Sequence, residues 1–168
     1  MKKLLYLILV FTALAVACPA QTIPQELWGK WTVTREIPTT TIGCWGKTEA
    51  KKLIGTQIEY SGDLFRWNNA VTRNPKAEVT TVSAEQFQQE NSGGGAHGSQ
   101  INFRQLGIKA DHAKQVTIQH TDAEITGGTT EIPGDRVLLK DSRTIVFSVC
   151  NFYFEAKKTP TKKKKTHS

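Results

Sequence analysis

Trp28-Gly29-Lys30-Trp31-Thr32-Val33-Thr34-Arg35-Glu36-Ile37 is the stretch on which the reading of the fold turns. Apolar and polar residues alternate along it, and a period of two is that of an extended strand with one face buried. Counting in twos puts Trp31, Val33, Arg35 and Ile37 on one side and Lys30, Thr32, Thr34 and Glu36 on the other, so Arg35 is aimed inward. A buried guanidinium costs several kcal/mol unless it is paired. Three outcomes stay open for it: an internal carboxylate, an anionic ligand in a cavity that it lines, or a route out to water at the barrel mouth.

Outward from this stretch, short alternating or β-branched runs separated by turn residues continue over roughly 135 residues, the pattern of an antiparallel β-protein. The runs are Leu27 to Ile37, Thr56 to Ser61, Leu64 to Asn68, Glu78 to Val82, Gln100 to Arg104, Gln115 to Thr121, Arg136 to Lys140, Thr144 to Val149 and Phe152 to Lys158. The expected fold is all-β, an antiparallel up-and-down barrel of about eight strands with two short helices. Thr48 to Ile54 reads as one helix, with Thr48 as N-cap and Gly55 as stop. Ser83-Ala84-Glu85-Gln86 is a capping box opening a second helix that ends near Asn91. The glycine-rich Ser92 to Ser99 lacks the Gly-Lys-Ser/Thr ending of a phosphate-binding loop and reads as a linker. Gly127-Gly128 and Pro133-Gly134-Asp135 mark turns.

Gly29-Lys30-Trp31, a Gly-x-Trp at the start of the first long strand, resembles the first motif of the lipocalins and their calycin relatives. There the glycine permits close packing where the strand enters the barrel, and the tryptophan closes the barrel floor. The order of elements that follows is similar too: a long loop, a short helix, then a meander ending with Arg136 to Lys158. Thr121-Asp122-Ala123 matches the family's second motif in its first two residues, and Lys157 or Lys158 stands where the third has arginine. The resemblance implies a lipocalin-like barrel and noncatalytic binding of a small, mostly apolar ligand inside it. A second reading, of a different class, is a protein-binding module or envelope enzyme inhibitor acting through surface loops on a solid barrel. What separates them is whether Trp31, Phe65, Trp67, Phe147 and Phe154 crowd the interior shut.

The ends of the chain carry targeting and charge. Met1-Lys2-Lys3 followed by the apolar run Leu4 to Ala17 is a secretory signal peptide, shorter than the ~20 residues of a spanning helix. Two cleavage readings are open: after Ala20, leaving Gln21 first, or at a lipobox-like Ala15-Val16-Ala17-Cys18 that would make a lipid-anchored protein. Residues 1–20 are thus a leader, 21–158 the barrel domain and 159–168 a lysine-rich tail, in a protein exported to the periplasm or the medium. The 168-residue chain has 22 Lys plus Arg against 15 Asp plus Glu. Lys2 and Lys3 leave with the leader, and six lysines (157, 158 and 162–165) lie in the last dozen positions. The remaining 14 cations face 15 carboxylates, so the basic excess belongs to the tail and the domain offers no nucleic-acid-binding surface. The tail reads either as a contact with anionic envelope polymers or a membrane surface, or as a solvated end without a partner.

Cys44 and Cys150 remain as a pair in an oxidising compartment and are expected to form a disulfide. His97, His112, His120 and His167 have no metal-ligand spacing, and no cofactor motif is present. No nucleophile is joined to a general base, so the protein is read as not an enzyme. His120 shares a strand face with Val116 and Ile118 and points inward. Arg35, Tyr60, Trp67 and His120 are therefore the candidate ligand-binding residues, Tyr60 and Trp67 as walls and Arg35 and His120 as the polar part.

Overall fold

Alternating segments become nine antiparallel strands in the computed structural model, which describes residues 21–39, 44, 46–91, 101–120 and 132–160. They are β1 (Gly29–Ile37), β2 (Gln57–Tyr60), β3 (Leu64–Trp67), β4 (Ala70–Arg73), β5 (Lys76–Ser83), β6 (His112–Gln119), β7 (Arg136–Asp141), β8 (Thr144–Val149) and β9 (Phe152–Lys158). The sheet order is β4-β3-β2-β1-β9-β8-β7-β6-β5, an up-and-down meander in which first and last strands pair. The sheet curls into a half-barrel whose two edges are β4 and β5. Asn74-Pro75 separates them; Asn74 is left-handed at φ 48°, and proline brings no N–H to a ladder. On the β5 edge Gln21 exchanges both backbone hydrogen bonds with Ala77, at 3.2 and 2.6 Å.

The expected all-β fold is present, with nine strands against about eight expected, and three local expectations are corrected. The four-residue β4 falls between asparagines in a stretch too short to show a period. Gln100 to Arg104 is not a strand where it is described. Asn102 Oδ1 accepts from the Gln105 N–H and Gln105 Oε1 accepts from the Asn102 N–H, both at 3.0 Å. That reciprocal pairing is the chemistry of a capping box and makes a turn. The first helix, α1 (Lys47–Lys51), starts one residue early behind Gly46, with no side-chain cap from Thr48. The second, α2 (Ala84–Glu90), opens on Ser83 Oγ accepting from the Gln86 N–H at 3.0 Å and ends at Asn91, as expected.

The sheet buries residues on both faces. Trp31, Val33, Ile58, Tyr60, Phe65, Val116, Phe147 and Phe154 fill the concave side, joined by Ala50 and Leu53 of the α1 region. On the convex side Phe87 of α2 and the segment holding Ile101, Phe103, Leu106 and Ile108 cover Ile37, Leu138, Val146 and Tyr153. Burial on both faces explains why β8 reads as the nearly unbroken apolar run Thr-Ile-Val-Phe-Ser-Val. Cys44 and Cys150 form the expected disulfide, with Cα atoms 5.2 Å apart. Cys150 and Asn151 both have positive φ, 53° and 63°, the requirement of the tight two-residue hairpin turn that joins β8 to β9. Among the described residues no helix is long and apolar enough to cross a membrane. Outside the described residues lie the leader with Cys18, the glycine-rich loop with His97, Thr121-Asp122-Ala123, Gly127-Gly128 and the tail lysines 162–165 with His167.

Candidate functional site

Arg35 does not point inward. The β1–β9 register runs Val33 to Ala156 and then Arg35 to Glu155, so Thr34 is an extra residue, a β-bulge. One extra residue reverses the parity of everything after it. Arg35 and Ile37 therefore share the convex face with Glu155 and Tyr153, while Trp31 and Val33 stay concave. The Thr34 hydroxyl donates to the Glu155 carbonyl at 3.0 Å and holds the bulge. On the convex face Arg35 Nη2 lies 3.0 Å and Lys140 Nζ 2.9 Å from the same atom, Glu155 Oε2. The carboxylate side chain is 7% exposed and Arg35 51%. Burial pushes the Glu155 carboxyl up, but the hydrogen bonds and charges of Arg35 and Lys140 outweigh it and hold it below the ordinary value. Gly107 closes over this group, since a β-carbon there would stand 2.7 Å from Lys140 Nζ. Glu155 was the missed partner; its signal was a lone carboxylate inside Phe152-Tyr153-Phe154-Glu155-Ala156.

Two of the other candidates are brought close through one turn. Tyr60 is fully buried, stacks on Phe65 at 5.5 Å and donates from its hydroxyl to the Gly134 carbonyl at 2.7 Å. Burial, and then the Asp135 charge, push its pKa well above the ordinary tyrosine value. His120 Nε2 lies 3.1 Å from Asp135 Oδ2, and its Nδ1 is buried without a partner. The Pro133-Gly134-Asp135 turn thus serves both residues. Trp67 lies at the end of β3, partly buried against the concave core. These three sit on or beside the concave side, away from Arg35. Gly29 has φ 123°, and a β-carbon there would meet Lys158 at 3.2 Å. Trp31 is 1% exposed, donates from Nε1 to the Leu27 carbonyl at 2.7 Å and lies 5.2 Å beneath Lys158 Nζ. Packed rings therefore occupy the concave side, with Phe147 and Phe154 stacked at 5.5 Å.

A cleft of about 80 Å³ lies between α2 and the convex sheet, walled by Phe87, Gln115, Leu138, Val146 and Tyr153. The Tyr153 hydroxyl donates to Asn91 Oδ1 there at 3.0 Å, and burial lifts its pKa to about 12. A second groove runs along Trp28, Lys30, Glu59, Arg143, Lys158 and Pro160. A third, polar one is lined by Thr117, Gln119, His120, Asp135, Arg136 and Ser148. Among the described residues no three His, Cys, Asp or Glu side chains are placed to hold a metal ion. No family model, curated protein or solved structure matches the chain.

Proposed function

We propose that this protein is an exported, noncatalytic, lipocalin-like barrel that works through its outer surface, the sheet serving as a solid scaffold. The observation that carries the reading is the packed concave side, where Trp31, Tyr60, Phe65 and Phe154 are each at most 1% exposed. An eight- to nine-stranded barrel has room for packed side chains or for one small ligand, and here side chains occupy the space. The internal-ligand expectation relied on Arg35 as the cationic anchor for an anionic ligand; that guanidinium belongs to an ion pair on the opposite face. The Cys44–Cys150 bridge is compatible with export.

Two tryptophans make the test direct. Trp31 reports the interior and Trp28, 42% exposed, the surface. In ¹⁵N-edited spectra of the mature chain, oleate should leave the Trp31 indole resonance in place. Solubilised envelope material should move outer-surface amides. A stoichiometric shift of Trp31 with oleate overturns the reading.

A further inference from the structure

β9 runs on against two neighbours as it leaves the sheet. The Lys158 N–H donates to the Arg143 carbonyl at 2.9 Å, and the Thr159 N–H to the Lys30 carbonyl at 2.7 Å. Those two bonds draw Lys30 of β1, Arg143 of the β7–β8 turn and Lys158 around the groove that Trp28 walls. Lys158 Nζ is fixed by a 2.9 Å bond to the Glu26 carbonyl. Among the described residues neither Lys30 nor the Arg143 guanidinium has an ion-pair partner. The carboxylate on the wall, Glu59, is held by Arg66 at 3.4 Å. In a domain whose charges otherwise nearly cancel, three basic residues line this groove.

Trp28 is exposed yet held in place. Its Nε1 donates to the Ile23 carbonyl at 2.9 Å, and a β-carbon at Gly62 would lie 3.0 Å from its ring. An aromatic surface fixed in advance loses little freedom on binding. Backed by Gly62 and tied at its nitrogen, the indole offers the rest of its surface to the groove.

We propose that this groove binds an anionic polysaccharide. Trp28 meets the apolar face of a sugar ring, and Lys30, Arg143 and Lys158 meet its carboxylates or phosphates. A concave wall with one fixed ring suits a strand-like chain better than the flat face of a bilayer. The proposal rests on the surface-binding reading and names its partner.

The test is a titration of the mature chain with polygalacturonate, which has rings and charges, with polyphosphate, which has charges only, and with phosphatidylglycerol vesicles. Polygalacturonate should bind most tightly, with affinity falling as salt rises. Lys30→Gln/Arg143→Gln, two exposed changes, should weaken it by about tenfold or more, the scale of two lost cation contacts. Trp28→Ala should weaken polygalacturonate but not polyphosphate, and Trp28→Phe should restore most of the loss. The proposal falls if no polyanion binds, or if the groove double variant binds as wild type does while Lys162–Lys165→Gln abolishes binding. It also falls if polyphosphate binds as tightly with Trp28 irrelevant, or if vesicles compete best. The Trp31 resonance separates the failures: a shift with oleate sinks the surface reading, whereas a still Trp31 with no polygalacturonate binding sinks this proposal alone.

Discussion

Lys140→Met and Arg35→Ala should differ sharply in cost, although both cations touch one oxygen of Glu155 at nearly the same distance. The Arg35 side chain is 51% exposed. Water can replace much of what it gives, and exposed pairs are worth about 0.2–1 kcal/mol. The Lys140 side chain is 20% exposed and lies under Gly107. Its removal leaves a nearly buried carboxylate facing one half-exposed guanidinium, at a cost of about 2–3 kcal/mol, below the 3–5 of a fully buried pair. Replacing both partners, as Lys140→Met/Glu155→Leu, should recover much of that loss, because no charge is then stranded.

Urea unfolding at constant slope measures these differences, and pH supplies the sign. Glu155 is held below its ordinary value of 4.5, so its stabilisation is fully present above that pH and lost as pH falls through the folded-state value. The Lys140→Met penalty should therefore shrink between pH 6 and pH 3. An Arg35→Ala cost of about 3 kcal/mol or more would refute the placement of Arg35 on the convex face. A Lys140→Met cost that is negligible, or the same at both pH values, would refute the assignment of Glu155 as a shared buried partner.

Cys44→Ser/Cys150→Ser opens a link spanning 106 residues and should cost about 4–5 kcal/mol in the chain-entropy model; nonreducing peptide mapping and calorimetry check the bridge and its worth. Gly134→Ala puts a β-carbon 2.6 Å from the Tyr60 hydroxyl at φ 87° and should destabilise by about 2 kcal/mol or more, with loss of near-ultraviolet dichroism from Tyr60; a wild-type melting temperature would contradict that geometry. Tyr60 and Tyr153 both lie above the ordinary 10.0, Tyr153 at about 12. The unfolded chain ionises first, so stability should hold below pH 10 and decline as pH rises toward 12. Tyr153→Phe should flatten part of that decline and cost about 1 kcal/mol for the hydrogen bond to Asn91.

Period-two counting made the sheet legible because most strands have one continuous parity. It put Val116 and Ile118 on the side where both are buried in the concave core. It failed for Arg35 because counting assumes one residue per step, and nothing in Val33-Thr34-Arg35 marks the extra one. The bulge exists through the Thr34 bond to Glu155 across the sheet, information that lies 121 positions away. Ile101 to Arg104 failed differently: its Asn-x-x-Gln box was legible, but the apolar alternation of Ile101 and Phe103 dominated the reading. Tyr60 was legible as a large inward ring with a polar tip, whereas its acceptor, a carbonyl in a turn, has no side-chain signature.

The Tyr60 hydroxyl also decides what the half-barrel can enclose. β4 and β5 share no hydrogen-bonded ladder, so the two wings must be held together across the concave side by side chains. β4 is four residues long and ends before Pro75, and β5 is partly covered by Gln21, which leaves little edge to recruit another strand. Tyr60 comes from the β2 wing, and Gly134 precedes β7 on the other; their 2.7 Å bond is therefore a clasp across the interior, backed by the Tyr60–Phe65 stack. Opening a ligand cavity would require breaking that buried bond and separating those rings, leaving a phenol hydroxyl and a carbonyl unsatisfied at about 1–3 kcal/mol each. A residue that looks like a cavity wall in sequence is here packed into the concave core and hydrogen-bonded across it.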